Sequence, residues 1–418
     1  MKRILALDGG GIRGVFTLEV LLKMENLLRE KHYNNSPAFV LRDHFDFFAG
    51  TSTGAIIAAL LCWGKSVGEI RDLYTKRGRE IFRPFPWYHP IKRLFFSRFD
   101  SRPLADMLKV LFSVDGKVAK LGASRLRRMD MGNEEEAGSE TETLAEGEGK
   151  YLLLVVRNHS TGSSWPLTNN PHSKFNKPKA KSDAPTGPDT HNPNAESNVP
   201  TVPDTMLEFP LWQLVRASTA APTYFDPEEI DLGGIRQLLV DGSVSPYSNP
   251  ALIAALTAIL PAYRINWPTG PEKIRVVSVG TIEFSSALPV SDEKLWLGNN
   301  ATYIPVCLLQ TIAWQQDYLC RCLGECIYGE LLDKEVGYLV ESLDRDSDGE
   351  YPVWHQRPGP AWFSYVRYNP TYRRWNDHDR ILKKHPDLAR FDAVNTIPTL
   401  EKIGHEYAEQ AVKLEHLI

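Results

Sequence analysis

The chain of 418 residues reads as an α/β protein organised on a largely parallel sheet. Three observations predict that class. An apolar strand, a glycine-rich turn and a helical pattern open the sequence. The same strand, turn and helix order follows at once. Further short apolar runs then recur at wider intervals between helical or polar stretches.

Residues 3–8 (RILALD) supply the first buried strand. From Val15 to Arg29, apolar side chains fall at positions 15, 18, 21, 22, 24, 27 and 28, close to a helical period. Phe45–Ala49 is a second apolar run, ending at a serine turn. Ala55–Cys62 is apolar all round, with alanines at 55, 58 and 59, as expected of a helix packed inside a sheet protein. Residues 151–157 (YLLLVVR), 238–241 and 275–280 (RVVSVG) read as later strands.

Two stretches interrupt the pattern. Residues 131–149 hold seven glutamates, and residues 176–205 hold six prolines among Asn, Asp, Ser and Thr. Neither can bury enough apolar surface to offset the entropy of ordering, so both are expected to be exposed insertions, near 129–149 and 176–205. The strand at 151 lies between them, so one domain continues through both.

Hydrophobic residues make up 42% and charged residues 24%, an ordinary globular balance. A net charge of −4 creates no basic field to draw in a nucleic acid polymer. Of five cysteines, four crowd between Cys307 and Cys326, which reads as reduced thiol rather than a disulfide framework. Cys320-x-Cys322-x3-Cys326 falls in an expected helix over 314–331. A helix puts 320 and 322 on different faces, which argues against zinc. Residues 344–349 begin like a calcium loop, but the twelfth position is His355 instead of Glu. No metal or cofactor is expected. Met1-Lys2-Arg3 runs straight into the first strand, and no apolar run reaches eighteen residues. The expectation is a cytoplasmic protein. Residues 79–99 interleave aromatics with Arg and Lys, which suits peripheral membrane contact. The competing reading is a cap packed on the core.

The chemistry lies in three short motifs. Asp8-Gly9-Gly10-Gly11-Ile12-Arg13-Gly14 contains a G-x-G-x-x-G pattern between strand and helix, as dinucleotide sites do. Asp8 would place a carboxylate against a pyrophosphate, however, and no acidic strand end follows about twenty residues later. The loop is better suited to bringing backbone amides close to a developing oxyanion, with Arg13 adding positive charge nearby. Gly50-Thr51-Ser52-Thr53-Gly54 fits the G-x-S-x-G elbow that lifts a nucleophilic serine off a strand end. A serine needs an adjacent base. Most histidines sit among charges or in polar loops, and His44 lies at the start of the strand whose far end carries Ser52. Leu238-Leu239-Val240-Asp241-Gly242-Ser243 instead ends an apolar strand on a carboxylate.

Together these motifs, with the block Arg216-Ala217-Ser218-Thr219-Ala220-Ala221-Pro222-Thr223-Tyr224-Phe225, resemble the patatin-like phospholipase family over residues 4 to 255. The resemblance implies a three-layer α/β/α fold with a mostly parallel central sheet. Residues 4–255 would form the catalytic domain, and 256–418 a mostly helical continuation of the same fold. It also implies a Ser–Asp dyad in which Ser52 is the nucleophile and Asp241 the base. The amides of Gly10 and Gly11, with help from Thr53, would form the oxyanion hole. Gly9, Arg13, Gly14, Gly50, Gly54 and Gly242 complete the motifs. One position departs from the family, which has Gly or Ala where Ser243 stands.

The expected function is calcium-independent hydrolysis of fatty-acyl esters in membrane glycerophospholipids, of the phospholipase A type, through an acyl-enzyme. The alternatives are acyl hydrolysis or transfer on other lipid esters, such as galactolipids or acylglycerols, and a non-catalytic lipid-binding regulator. If Asp241 is not the base, His355 and His378 are the next candidates. Some bacterial members of the family are switched on by cyclic nucleotides, for which this sequence carries no motif.

Overall fold

The computed structural model describes residues 1–81, 98–125, 149–176, 203–284, 297–330, 332, 359–372 and 384–418. The two expected insertions, the 344–349 loop, His355, His378 and residues 82–97 of the aromatic stretch lie wholly or mostly outside them.

The strands are β1 (Lys2–Leu7), β2 (Phe47–Thr51), β3 (Ser113–Val114), β4 (Lys117–Val118), β5 (Tyr151–Asn158), β6 (Ser163–Thr168), β7 (Glu228–Leu232), β8 (Ile235–Asp241), β9 (Ile274–Val279), β10 (Glu283–Phe284), β11 (Glu325–Tyr328), β12 (Ser364–Tyr368) and β13 (Thr371–Tyr372). Among the described residues nine of them form one sheet in the order β11-β12-β9-β1-β2-β5-β8-β7, with β6 also on β5. From β11 to β5 every pairing is parallel, and β6, β7 and β8 join antiparallel.

Side-chain alternation builds the layers. Leu5, Leu7, Phe48, Leu154 and Val156 face one core, under the helices Gly14–Lys31, Thr53–Cys62, Leu211–Ser218 and Ile397–Ala411. Ile4, Ala6, Phe47, Ala49, Leu153 and Val155 face the other, under Ala251–Ile259 and the end of Leu297–Leu323. A strand puts successive side chains on opposite faces, so a run with both faces buried reads as continuously apolar. The result is a three-layer α/β/α architecture. Helices at 297–323 and 397–411 extend the C-terminal part, which also contributes β9, β11 and β12 to the sheet.

The helix expected over 314–331 ends at Leu323, because Glu325–Tyr328 pairs in parallel with β12 as the sheet's outer strand. Pairing with an existing edge overrides the local helical pattern there. Cys320 therefore lies in the helix and Cys326 in a strand, both buried. Among the described residues no helix is long and apolar enough to cross a membrane.

Two buried histidines fasten the chain's last residues to this core. His44 Nδ1 lies 3.1 Å from the Tyr33 hydroxyl, and its Nε2 donates to the Leu417 carbonyl at 3.0 Å. His416 Nδ1 meets the Tyr368 hydroxyl at 2.7 Å, with its ring stacked on Tyr328. Burial pushes both imidazoles down to about 4. Their unfolded value is about 6.5, so the unfolded chain binds these protons more readily. Their stabilising effect is complete above that value and is lost as pH falls toward 4. The melting temperature is therefore expected to drop less between pH 7 and 5 in a His44→Gln variant than in wild type. Identical slopes would overturn this account.

Candidate active site

β2 ends at Thr51, and the chain must turn at once into the helix Thr53–Cys62. Ser52 makes that turn at φ 55° and ψ −123°, a conformation that costs a non-glycine residue energy, and it lines the cavity described below. The turn is tight enough that a Cβ at Gly50 would strike the Gly54 carbonyl, and one at Gly54 would strike that of Leu7. The two flanking glycines are thus required by backbone packing.

Bending away from the sheet takes the Ser52 amide off its ladder. The Ser218 hydroxyl accepts it at 3.0 Å and donates to the Val155 carbonyl at 2.6 Å. Ser218 closes the helix Leu211–Ser218 and is fully buried; it belongs to the block 216–225, but the sequence assigns it no role. Its signal was its place in that block, immediately before the stretch whose Ala220 carbonyl accepts the Asp241 amide at 3.0 Å.

Asp241 ends β8. Because β8 runs antiparallel to β5, it arrives from beyond the sheet edge and stops opposite Val156, while Thr51 stands opposite Val155. That register puts the two side chains together. Ser52 Oγ donates to Asp241 Oδ2 at 2.7 Å, and the Ser243 amide donates to Oδ1 at 2.7 Å. Gly242 allows the turn, since a Cβ there would strike the Val155 carbonyl. Asp241 is 2% exposed, and burial pushes its carboxyl up to about 6, against the opposing pull of the Ser243 amide, the Ser52 hydroxyl and the Arg216 charge. Arg216 is itself buried, donates to the Asp226 carbonyl at 2.8 Å and lies over the Phe225 ring.

The glycine loop lies beside the elbow. Gly11 adopts φ 58° with its α-carbon against the Phe391 carbonyl, where only glycine fits. Gly14 backs onto Thr53, and Gly9 packs against Ser52 and the Ser243 hydroxyl. Ser243 therefore fills space between Gly9 and Asp241. The Ile12 amide donates to the Phe391 carbonyl at 2.8 Å, and the Thr281 hydroxyl to that of Gly9 at 3.2 Å. Arg13 is buried rather than solvated: it donates to the Ile282 carbonyl at 3.3 Å, and its guanidinium sits 4.4 Å from the centre of the Phe391 ring. The amides of Gly10, Gly11 and Thr53 have no hydrogen-bond partner among the described residues, and all three residues line the cavity above Ser52.

That cavity measures about 690 Å³. Its floor is polar, with Ser52, Asp241 and the glycine loop. Its walls are largely apolar, including Ile56, Leu104, Phe225 and Leu309. No histidine is among the described residues that line it, and His44 is committed to Tyr33 and Leu417. Among the described residues no group of three or more His, Cys, Asp or Glu is placed to hold a metal ion.

Ser218→Ala is expected to leave the Ser52 amide unsatisfied and to lower folding stability by about 1–3 kcal/mol in a urea titration. Unchanged stability would show that Ser218 does not hold the elbow.

Comparison with known proteins places this chain in a family. The family model described as Patatin-like phospholipase matches residues 5–255. A cGAMP-activated phospholipase of Vibrio cholerae is 40% identical over 110 residues, which are 25% of this chain and 30% of that protein. One of Escherichia coli is 25% identical over 301 residues, covering 71% of this chain and 67% of that one. The 85/88 kDa calcium-independent phospholipase A2 of Mus musculus is 26% identical over 424 residues, 99% of this chain and 40% of the mouse protein. The matched regions are thus well under two thirds of the Vibrio and mouse proteins' length. With three fifths of its length matched by the family model, this chain belongs to the patatin-like phospholipase family.

Proposed function

We propose that this protein is a serine-dependent lipid acyl hydrolase of the phospholipase A type, acting on fatty-acyl esters of membrane glycerophospholipids. The observation that carries the reading is the 2.7 Å hydrogen bond from Ser52 Oγ to Asp241 Oδ2 at the floor of a largely apolar cavity. A serine hydroxyl held on a buried carboxylate has a place to deliver its proton. An apolar cavity above it has a use for an acyl chain.

In the proposed reaction Ser52 Oγ attacks the ester carbonyl carbon while Asp241 takes the hydroxyl proton. The carbonyl oxygen becomes an oxyanion facing the amides of Gly10, Gly11 and Thr53, donors that need no reorganisation. The positive end of the helix Thr53–Cys62 lies at the same point. Asp241 then passes its proton to the leaving alkoxide, releasing lysolipid and leaving the acyl group on Ser52. Water attacks the acyl-enzyme with Asp241 again as base, and Asp241 returns that proton to Ser52 Oγ as the fatty acid leaves. A carboxylate near pKa 3.9 would be a poor base, and the burial that lifts Asp241 to about 6 brings it closer to the working pH.

The membrane is the source of the substrate; of the aromatic and basic stretch 79–99, the described Phe99 is packed on the protein, 4% exposed against the rings of Tyr224 and Phe225. Relatives named for activation by cGAMP make that nucleotide a component to include in assays.

Wild-type protein should bind a fluorophosphonate probe covalently and release fatty acid and lysolipid from mixed phospholipid vesicles, assayed with and without cGAMP. Ser52→Ala should do neither, and Asp241→Asn should lose turnover. Fatty acid released equally by wild type and Ser52→Ala would discard the assignment. Full activity in Asp241→Asn would remove the dyad.

The base must be ionised to accept a proton. The kcat/KM profile is therefore expected to be flat above about pH 6 and to fall about tenfold per unit below it. An acid limb centred near pH 4 would show that Asp241 titrates as an ordinary carboxylate.

A further inference from the structure

Asp8 begins the glycine loop, is 5% exposed and lines the cavity. Neither hydrogen bond of the Ser52–Asp241 pair involves it, and a carboxylate beside amides that receive an oxyanion is electrostatically the wrong charge. The structure places a cation on it. Arg367 Nη1 donates to Asp8 Oδ1 at 2.8 Å and Nη2 to Oδ2 at 2.6 Å. Arg367 is 1% exposed.

The geometry of this pair is long-range in sequence and rigid in space. Arg367 sits on β12, opposite Ser278 of β9, which in turn stands opposite Ala6 of β1. Its guanidinium reaches across β9 to the end of β1, and Nη1 also donates to the Ser278 hydroxyl at 2.7 Å. The Asp8 amide meanwhile donates to the Val279 carbonyl at 3.1 Å. Asp8 is therefore held at backbone and side chain together, and the next residue, Gly9, packs on Ser52. Arg367 lies outside the residues matched by the family model.

We infer that Arg367 is a positioning residue for the reaction: its two-point ion pair cancels the Asp8 charge beside the oxyanion amides and fixes the first residue of the glycine loop. The inference rests on the hydrolase reading proposed above. Two consequences separate it from a purely structural role. Removing the cation slows the chemical step without weakening substrate binding. Removing the anion as well restores part of the rate, because no uncompensated charge then faces the oxyanion.

The test uses the full chain, a short-chain 4-nitrophenyl ester and four variants: Ser52→Ala, Arg367→Met, Arg367→Lys and the double variant Asp8→Asn/Arg367→Met. Folding is checked by circular dichroism and thermal melting. Arg367→Met should lower kcat about 100-fold, a loss comparable to that of an oxyanion donor, with KM within about threefold of wild type. The double variant should recover about tenfold of that loss. If Arg367→Met does not fold, Arg367→Lys carries the test: one ammonium cannot reproduce the two-point contact, and kcat should fall about tenfold at unchanged KM. A folded Arg367→Met with wild-type kcat, a double variant no faster than Arg367→Met, or Arg367→Lys at full rate would each overturn the inference. Ser52-independent hydrolysis would instead overturn the underlying reading, so the two failures are distinguishable.

Discussion

Leu7 stands opposite Gly50, and Thr51 opposite Val155, because β1, β2 and β5 pair in parallel without a shift. That common level at the strand ends is the constraint on which the site depends. The glycine loop leaves from β1, the elbow from β2, and Asp241 arrives from β8 one residue away, against Val156. A one-residue slip of any of these strands would turn its side chains to the other face and separate Ser52 from Asp241. Two residues 189 positions apart in sequence thus meet through backbone pairing rather than through local contacts.

The same architecture sets the electrostatics. A carboxylate at the end of an exposed hairpin would be a strong acid and a weak base. Here the strand end is enclosed, burial raises the Asp241 carboxyl, and the Ser243 amide stops it from simply staying protonated. The compromise is local and specific: one oxygen is held by backbone and the other is left for Ser52. On the opposite side of the elbow, Ser218 repairs the hydrogen bond that the strained serine turn gives up. Strain at φ 55° persists because the surrounding contacts determine it.

Much of this was legible from residue order alone. The paired glycines around Ser52 mark a close backbone approach, and an apolar strand capped by Asp-Gly marks a carboxylate at an edge. Alternating burial on two faces made β1, β2 and β5 readable as continuous apolar runs. What stayed hidden were relations that no window of sequence contains. The antiparallel entry of β8 depends on which neighbour it pairs with. The strand at 325–328 displaced an expected helix because the sheet offered an edge there. Arg13 was readable only as positive charge beside the loop, and nothing nearby in sequence points to the aromatic face of Phe391 that covers it. Ser218 lay inside a recognised block, but its role needed the position of the Ser52 amide.

The placement of Phe391 and β9 bears on where this protein can be cut. The family resemblance stops at 255, yet β1 has β9 as its partner on one side, and the glycine loop rests on a carbonyl and a ring from residue 391. A fragment ending at 255 would expose the strand that carries the loop as an unpaired edge, a template for pairing with other chains. The boundary visible in sequence and the boundary of cooperative folding are therefore different lines. Fusion partners, split reporters and truncations of this chain have to respect the second.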